Sequence, residues 1–173
     1  SPHHFTLTDE ACATLDPNTK MYPPLRSAED REAVRQGLRE GVIDAIATDH
    51  APHSDIEKNV EFERAAFGIL GLQTALPLTL RLIQDGVLSP LEAIGKLTHA
   101  PAKLLGLRGG TLAVGAEANV TLLDPTTSYT FESEQIRSKS LNSPFIGWEL
   151  AGRIEATIFR GKVVYDRNGK RAL

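Results

Sequence analysis

Residues 42–53, Val-Ile-Asp-Ala-Ile-Ala-Thr-Asp-His-Ala-Pro-His, constrain this chain more than any other stretch. Val42 to Ala47 make a short, mostly apolar run between Gly41 and the polar pair Thr48-Asp49. Such a run predicts a strand covered on both faces, as strands are in parallel sheets. A carboxylate, Asp49, and two imidazoles, His50 and His53, follow at its carboxyl end. In an α/β barrel that end is the catalytic rim, so polar residues gathered there read as chemistry. A plainer reading stays open on these residues alone, with Asp49 capping the next turn and His50 and His53 solvated in a loop.

The residues ahead of this strand prepare it. Ser1 to Leu7 reads as the exit from a strand, and Thr8-Asp9-Glu10 as the opening of a short helix. His3 and His4 are adjacent, so on an extended segment they point to opposite sides and at most one faces a site. Structural or hydrogen-bonding roles are expected for both. Asp16 to Arg26 contains three prolines and reads as a stiffened loop. Ser27 with Glu29 and Asp30 then predicts a capped helix start, with Val34 and Leu38 on one face and Gly41 as the stop. Loop, helix, glycine and buried strand in that order make a β/α crossover unit.

Beyond the strand, Ser54 to Ala66 is charged and is expected to be a long surface loop over the rim. Gly68 and Gly71 permit close backbone approach. Leu72, Leu76, Leu80 and Ile83 share a helical face, in which Pro77 marks a kink or the first turn, and Gly86 ends the helix. Ser89-Pro90-Leu91-Glu92 combines a capping serine, proline at the first helical position and glutamate at the third. A second short helix is expected over 102–105, with His99 as a helix-end residue favoured by the dipole. From Gly109 the texture becomes turn, strand, turn, strand, with Val120, Leu122 and Leu123 as the buried run. The alternating segment from Arg153 to Phe159 turns at Arg160-Gly161 into Lys162–Tyr165, which reads as a hairpin.

Totals narrow the function. The 173 residues suffice for one domain or for pieces of two. No apolar run is long enough to cross a membrane. A net charge of −3 and the lack of a basic block argue against a nucleic-acid partner. Cys12, the single cysteine, excludes an internal disulfide, fits a reducing compartment and reads as a plain thiol. No repeat or low-complexity tract appears. Ser1–Phe5 carries neither an initiator methionine nor a signal-peptide pattern.

These motifs together resemble the carboxyl-terminal part of a dihydroorotase, within the metal-dependent amidohydrolases. The likeness begins at Ser1-Pro2-His3-His4 and continues through Lys20–Arg26, Ala47–His53 and Phe67-Gly68-Ile69-x-Gly71. It ends with Gly110-Thr111-Leu112, Gly115-Ala116-x-Ala118-Asn119 and Asn142–Trp148. The A-T-D-H-A-P-H and N-S-P-F-I-G elements favour dihydroorotase over hydantoinase and allantoinase relatives.

The resemblance implies an α/β fold, with residues 1–108 as the C-terminal portion of a (β/α)8 TIM-type barrel containing its last two strands. Residues 109–173 would be the C-terminal strands of a small β-sandwich domain. It implies a cytoplasmic, zinc-dependent enzyme that reversibly hydrolyses the ring amide of dihydroorotate to N-carbamoyl-L-aspartate in pyrimidine biosynthesis. Asp49 matches the family's final aspartate, a zinc ligand that also shuttles the proton of the reacting water. His53 matches a histidine that helps bind the substrate carboxylate, and Phe67-Gly68 a loop against the pyrimidine ring. Tyr22 stands where the family usually has an asparagine that contacts substrate, and a phenol in place of an amide alters fit. The family does not use His3 and His4 as ligands.

The remaining ligands of one or two zinc ions would lie upstream of Ser1. One carboxylate does not hold a catalytic zinc, which takes about three protein ligands. Two strands do not close an eight-stranded barrel, and the faces of Leu72, Leu76 and Leu80 would be left exposed. The chain is therefore expected to be one part of a longer or split protein, accompanied by the missing N-terminal half of the barrel. Besides a small-molecule substrate, the resemblance brings in a homodimer and aspartate transcarbamoylase as partners. Two alternatives stand beside it: another cyclic-amide or ureide hydrolase, or a catalytically silent subunit that scaffolds aspartate transcarbamoylase.

Overall fold

The computed structural model describes residues 1–169. Residues 170–173, the end of the expected 109–173 module, lie outside the described residues. Among the described residues, five α-helices come first: α1 (Ala28–Arg39), α2 (Asp55–Lys58), α3 (Ala75–Gln84), α4 (Pro90–Leu97) and α5 (His99–Leu104). Three strands follow, β1 (Val120–Thr130), β2 (Glu149–Phe159) and β3 (Lys162–Asp166), in one antiparallel sheet of order β1-β2-β3.

Local chemistry accounts for the helix ends. Ser27 Oγ accepts the N–H of Asp30, and Gly41 leaves α1 with a left-handed backbone. Ser89 and Glu92 close the capping box on α4 as expected. Pro77 falls in the first turn of α3, where its missing N–H costs nothing. Leu78 and Leu82, one turn apart, are wholly buried and face a core that includes Phe5, Leu38, Ile46, Ile69, Phe131, Phe145 and Leu150. This core is continuous, taking residues from both sides of Gly109. The β2–β3 turn at Arg160-Gly161 has positive φ at both positions, the geometry of a two-residue hairpin.

Several expectations are corrected. Residues 42–47 do not join a ladder; the nearest regular pairing is a single parallel bridge between His50 and Ile69. No other described strand lies alongside, so the segment is covered on one side only. There the Ile46 N–H donates to Lys96 O at 2.9 Å while Val42 stays 74% exposed. Pro2–Phe5 is a 3₁₀ turn and not a strand exit, with proline at its start and the Ser1 hydroxyl bonded to both histidine rings. His3 and His4 consequently lie on the same side, with ring centroids 4.4 Å apart.

Asp9–Thr14 is also 3₁₀, and Thr8 makes no side-chain cap. The loop of residues 54–66 is not all surface, because α2 inserts Lys58 into the interior. Leu80, expected on an exposed face, is buried, whereas Leu72 is exposed. The second short helix starts earlier than expected, at His99, whose ring lies over Gly95. Residues 109–119 form no strand, and Leu112, Val114 and Leu122 are exposed, so the expected strand and buried run are absent for want of a covering layer among the described residues.

Candidate active site

Asp49 sits at the carboxyl end of the extended segment with φ of 49°, one of three non-glycine residues in the left-handed region among the described residues. Aspartate tolerates that conformation better than most residues. Its carboxylate is 53% exposed and lies 3.8 Å from Nε2 of His3, which is itself buried. Burial, then the neighbouring His4, push His3 down to about 3. The imidazole is therefore neutral at physiological pH, and the contact is not an ion pair. Its Nε2 is already 2.8 Å from the Ser1 hydroxyl.

Two segments meet beside Asp49, residues 48–53 and 67–71. His50 Nδ1 accepts the N–H of Gly71 at 3.1 Å, and the Ala51 N–H donates to Ile69 O at 2.9 Å. The approach needs glycine: a Cβ on Gly71 would lie 2.5 Å from Thr48 O, and one on Gly68 would lie 2.5 Å from Ala51 Cβ. His53 Nε2 donates to Phe67 O at 2.8 Å, which places that proton, while Nδ1 faces the Glu57 carboxylate at 3.8 Å.

Tyr22 reaches this group from the proline-rich loop. Its ring meets Phe67 edge-on with centroids 5.8 Å apart, and it is 74% exposed. Lys20 Nζ lies 4.5 Å from the Phe67 ring centroid, and Lys20 O accepts the Gly68 N–H at 3.0 Å. The structure therefore links Tyr22, His53, Phe67 and Gly68 through direct contacts. Asp49 stands on the adjoining residues.

Sequence reasoning missed one organising residue. Asn142 is buried, and its Nδ2 donates to Ala51 O at 2.9 Å and Gly68 O at 3.2 Å while Oδ1 accepts the His53 N–H at 3.2 Å. Its own carbonyl accepts the Leu70 N–H. The N-S-P-F-I-G motif marked the position, but no local pattern announces partners so distant in sequence.

Among the described residues, no group of three or more His, Cys, Asp or Glu is arranged to hold a metal ion. Asp49 offers exposed carboxylate oxygens, His3 is engaged with Ser1, and His50 spends one ring nitrogen on Gly71. These donors do not by themselves make a zinc site.

The likeness to known proteins runs nearly the length of the chain. Residues 6–164 match the model of the amidohydrolase family. The chain belongs to that family. A Geobacter sp. (strain M21) protein named dihydroorotase is 53% identical to this amidohydrolase chain over 166 residues, covering 96% of the chain and 39% of that protein. The dihydroorotase of Syntrophus aciditrophicus (strain SB) is 49% identical over 168 residues, with 97% and 39% covered. The solved L-hydantoinase from Arthrobacter aurescens superposes with a TM-score of 0.90 at 32% identity, over 96% of this chain and 38% of that one. The α/β fold class expected from sequence agrees with this neighbour. The amidohydrolase chain spans about two fifths of the length of the curated relatives it matches. None of its described helices is long and apolar enough to cross a membrane.

Proposed function

We propose that this chain is the portion of a zinc-dependent dihydroorotase that carries its final carboxylate ligand and part of its substrate pocket. The reading rests chiefly on Asp49, an exposed carboxylate at the end of an extended segment, adjoining the linked cluster of His53, Phe67, Gly68 and Tyr22. About 50% identity to proteins named dihydroorotase, along nearly the whole chain, supports it.

Residues 1–108 would belong to the barrel and 109–173 to the small β domain. The other donors of one or two zinc ions would come from sequence outside these 173 residues. In the hydrolytic direction water adds to the ring carbonyl carbon and the C–N bond breaks. The Asp49 carboxylate holds the proton lost by that water and passes it to the departing nitrogen. His53 would meet the substrate carboxylate, and Phe67, Gly68 and Tyr22 would bound the ring. This reading carries with it a cytoplasmic setting, and a second copy of the chain and an aspartate transcarbamoylase as partners.

A second reading, a hydantoinase-type ureide hydrolase, is left open by Tyr22, which stands where the resemblance places an asparagine, and is favoured by the L-hydantoinase likeness. Turnover of dihydroorotate, hydantoin and allantoin by the protein that carries this chain separates the two. The proposal expects kcat/KM for dihydroorotate to exceed the others by about a hundredfold or more. A preference for hydantoin or allantoin would replace it with the second reading.

A further inference from the structure

Lys58 is a charged residue from a polar stretch, yet it is only 5% exposed. Its Nζ donates to three backbone carbonyls, those of Pro17 at 2.7 Å, Ala66 at 2.8 Å and Lys20 at 3.3 Å. Two of these belong to the loop that leads to Tyr22, and the third immediately precedes Phe67 and Gly68. A charged amine without a carboxylate partner is costly to bury unless its three donors are satisfied. Three carbonyls from two segments satisfy all three.

A second lysine works in the opposite direction. Lys20 leaves the first loop and donates to Glu63 O, in the second, at 2.8 Å while its ammonium lies over the Phe67 ring. Lys20 O also accepts both the Lys58 ammonium and the Gly68 N–H. The two loops are thus held by reciprocal lysine contacts, and at the outer edge of this clasp Tyr22 and Phe67 meet. None of these atoms is needed for proton transfer at Asp49.

We propose that Lys58 is a positioning residue for the substrate pocket, its ammonium clasping the loop that bears Tyr22 to the loop that bears Phe67 and Gly68. The inference rests on the reading of those three residues as substrate contacts. Burial pushes the Lys58 ammonium down to about 8, with Asp16 opposing the shift and Lys20 adding to it. Loss of its proton leaves two donors for three carbonyls, so the clasp loosens as pH rises through that range.

The test begins without substrate. In the protein that carries this chain, the Lys58 Cε, the Gly68 amide and the Phe67 ring are followed by NMR from pH 7 upward. The clasp expects all three to move with one midpoint near 8. Lys58→Met should reduce the Tyr22–Phe67 ring contact at neutral pH, and Lys58→Arg, which keeps donors, should restore part of it. In turnover of dihydroorotate, Lys58→Met should raise KM about tenfold and leave kcat within about threefold. Titration of Lys58 with Gly68 and Phe67 unmoved would overturn the clasp whatever the activity. Movement of all three in a protein that turns over no cyclic amide would uphold the clasp and discard the functional reading.

Discussion

The backbone N–H of His53 donates to Asn142 Oδ1 at 3.2 Å, joining residues 89 positions apart in the chain. With Ala51 O and Gly68 O accepting from Nδ2, one amide side chain fixes both segments beside Asp49. A buried amide that satisfies three backbone groups sets the relative position of those segments more tightly than apolar packing, because hydrogen bonds are directional.

Asn142→Ala removes those three bonds and leaves the buried Gly68 carbonyl and two half-buried backbone groups without partners, so it should cost about 3 kcal/mol of stability. Urea denaturation of the variant and the parent measures this. A loss under about 1 kcal/mol would show that water replaces the side chain.

Gly68→Ala should disturb the same junction from the other side. Its φ is 122°, and the added methyl would stand 2.5 Å from Ala51 Cβ. Conformational strain and the clash together should cost about 2 kcal/mol or more. The backbone amides of Ala51 and Asp49 should shift in the NMR spectrum, and unchanged shifts would place the tight contact elsewhere.

Asp124 gives a pH dependence of known sign. Thr127 and Thr126 hydroxyls, then the Thr126 N–H, hold its carboxyl well below the usual carboxylate range. A carboxyl whose pKa is lower in the folded than in the unfolded chain stabilises the fold above the unfolded value of about 4. That contribution is lost as the pH falls through the folded value. The bulge between Asp124 and Ser128 should therefore loosen only in strong acid. Replacing Thr126 and Thr127 by alanine should return the carboxyl midpoint, followed by carbon NMR, to the ordinary range.

Where structure is dictated by neighbours in sequence, the residues announced it. Ser89 and Glu92 close a box within one turn, Gly41 ends α1, and Arg160-Gly161 makes the hairpin. The position of Asp49 after an apolar run was legible for the same reason. The contacts of Asn142 and Lys58 were not, because their acceptors come from segments far along the chain and a lysine among glutamates reads as solvated. The apolar composition of residues 42–47 announces a strand, but a strand needs a neighbour to pair with. Among the described residues that pairing reduces to the His50–Ile69 bridge. At the 3₁₀ turn of Pro2–Phe5 the Ser1 hydroxyl bonds both histidine rings, a contact that no periodicity encodes.

Asp49→Asn separates a catalytic carboxylate from a structural one. Asparagine tolerates the left-handed backbone as aspartate does, so the substitution removes the charge and the proton-accepting oxygen while keeping the shape. Steady-state turnover of dihydroorotate by the protein carrying this chain, with thermal unfolding followed alongside, is the measurement. With Asp49 as the proton carrier, kcat should fall by about a hundredfold or more while the melting temperature stays near that of the parent. A variant that folds and retains kcat within about twofold of the parent would contradict a catalytic role for Asp49.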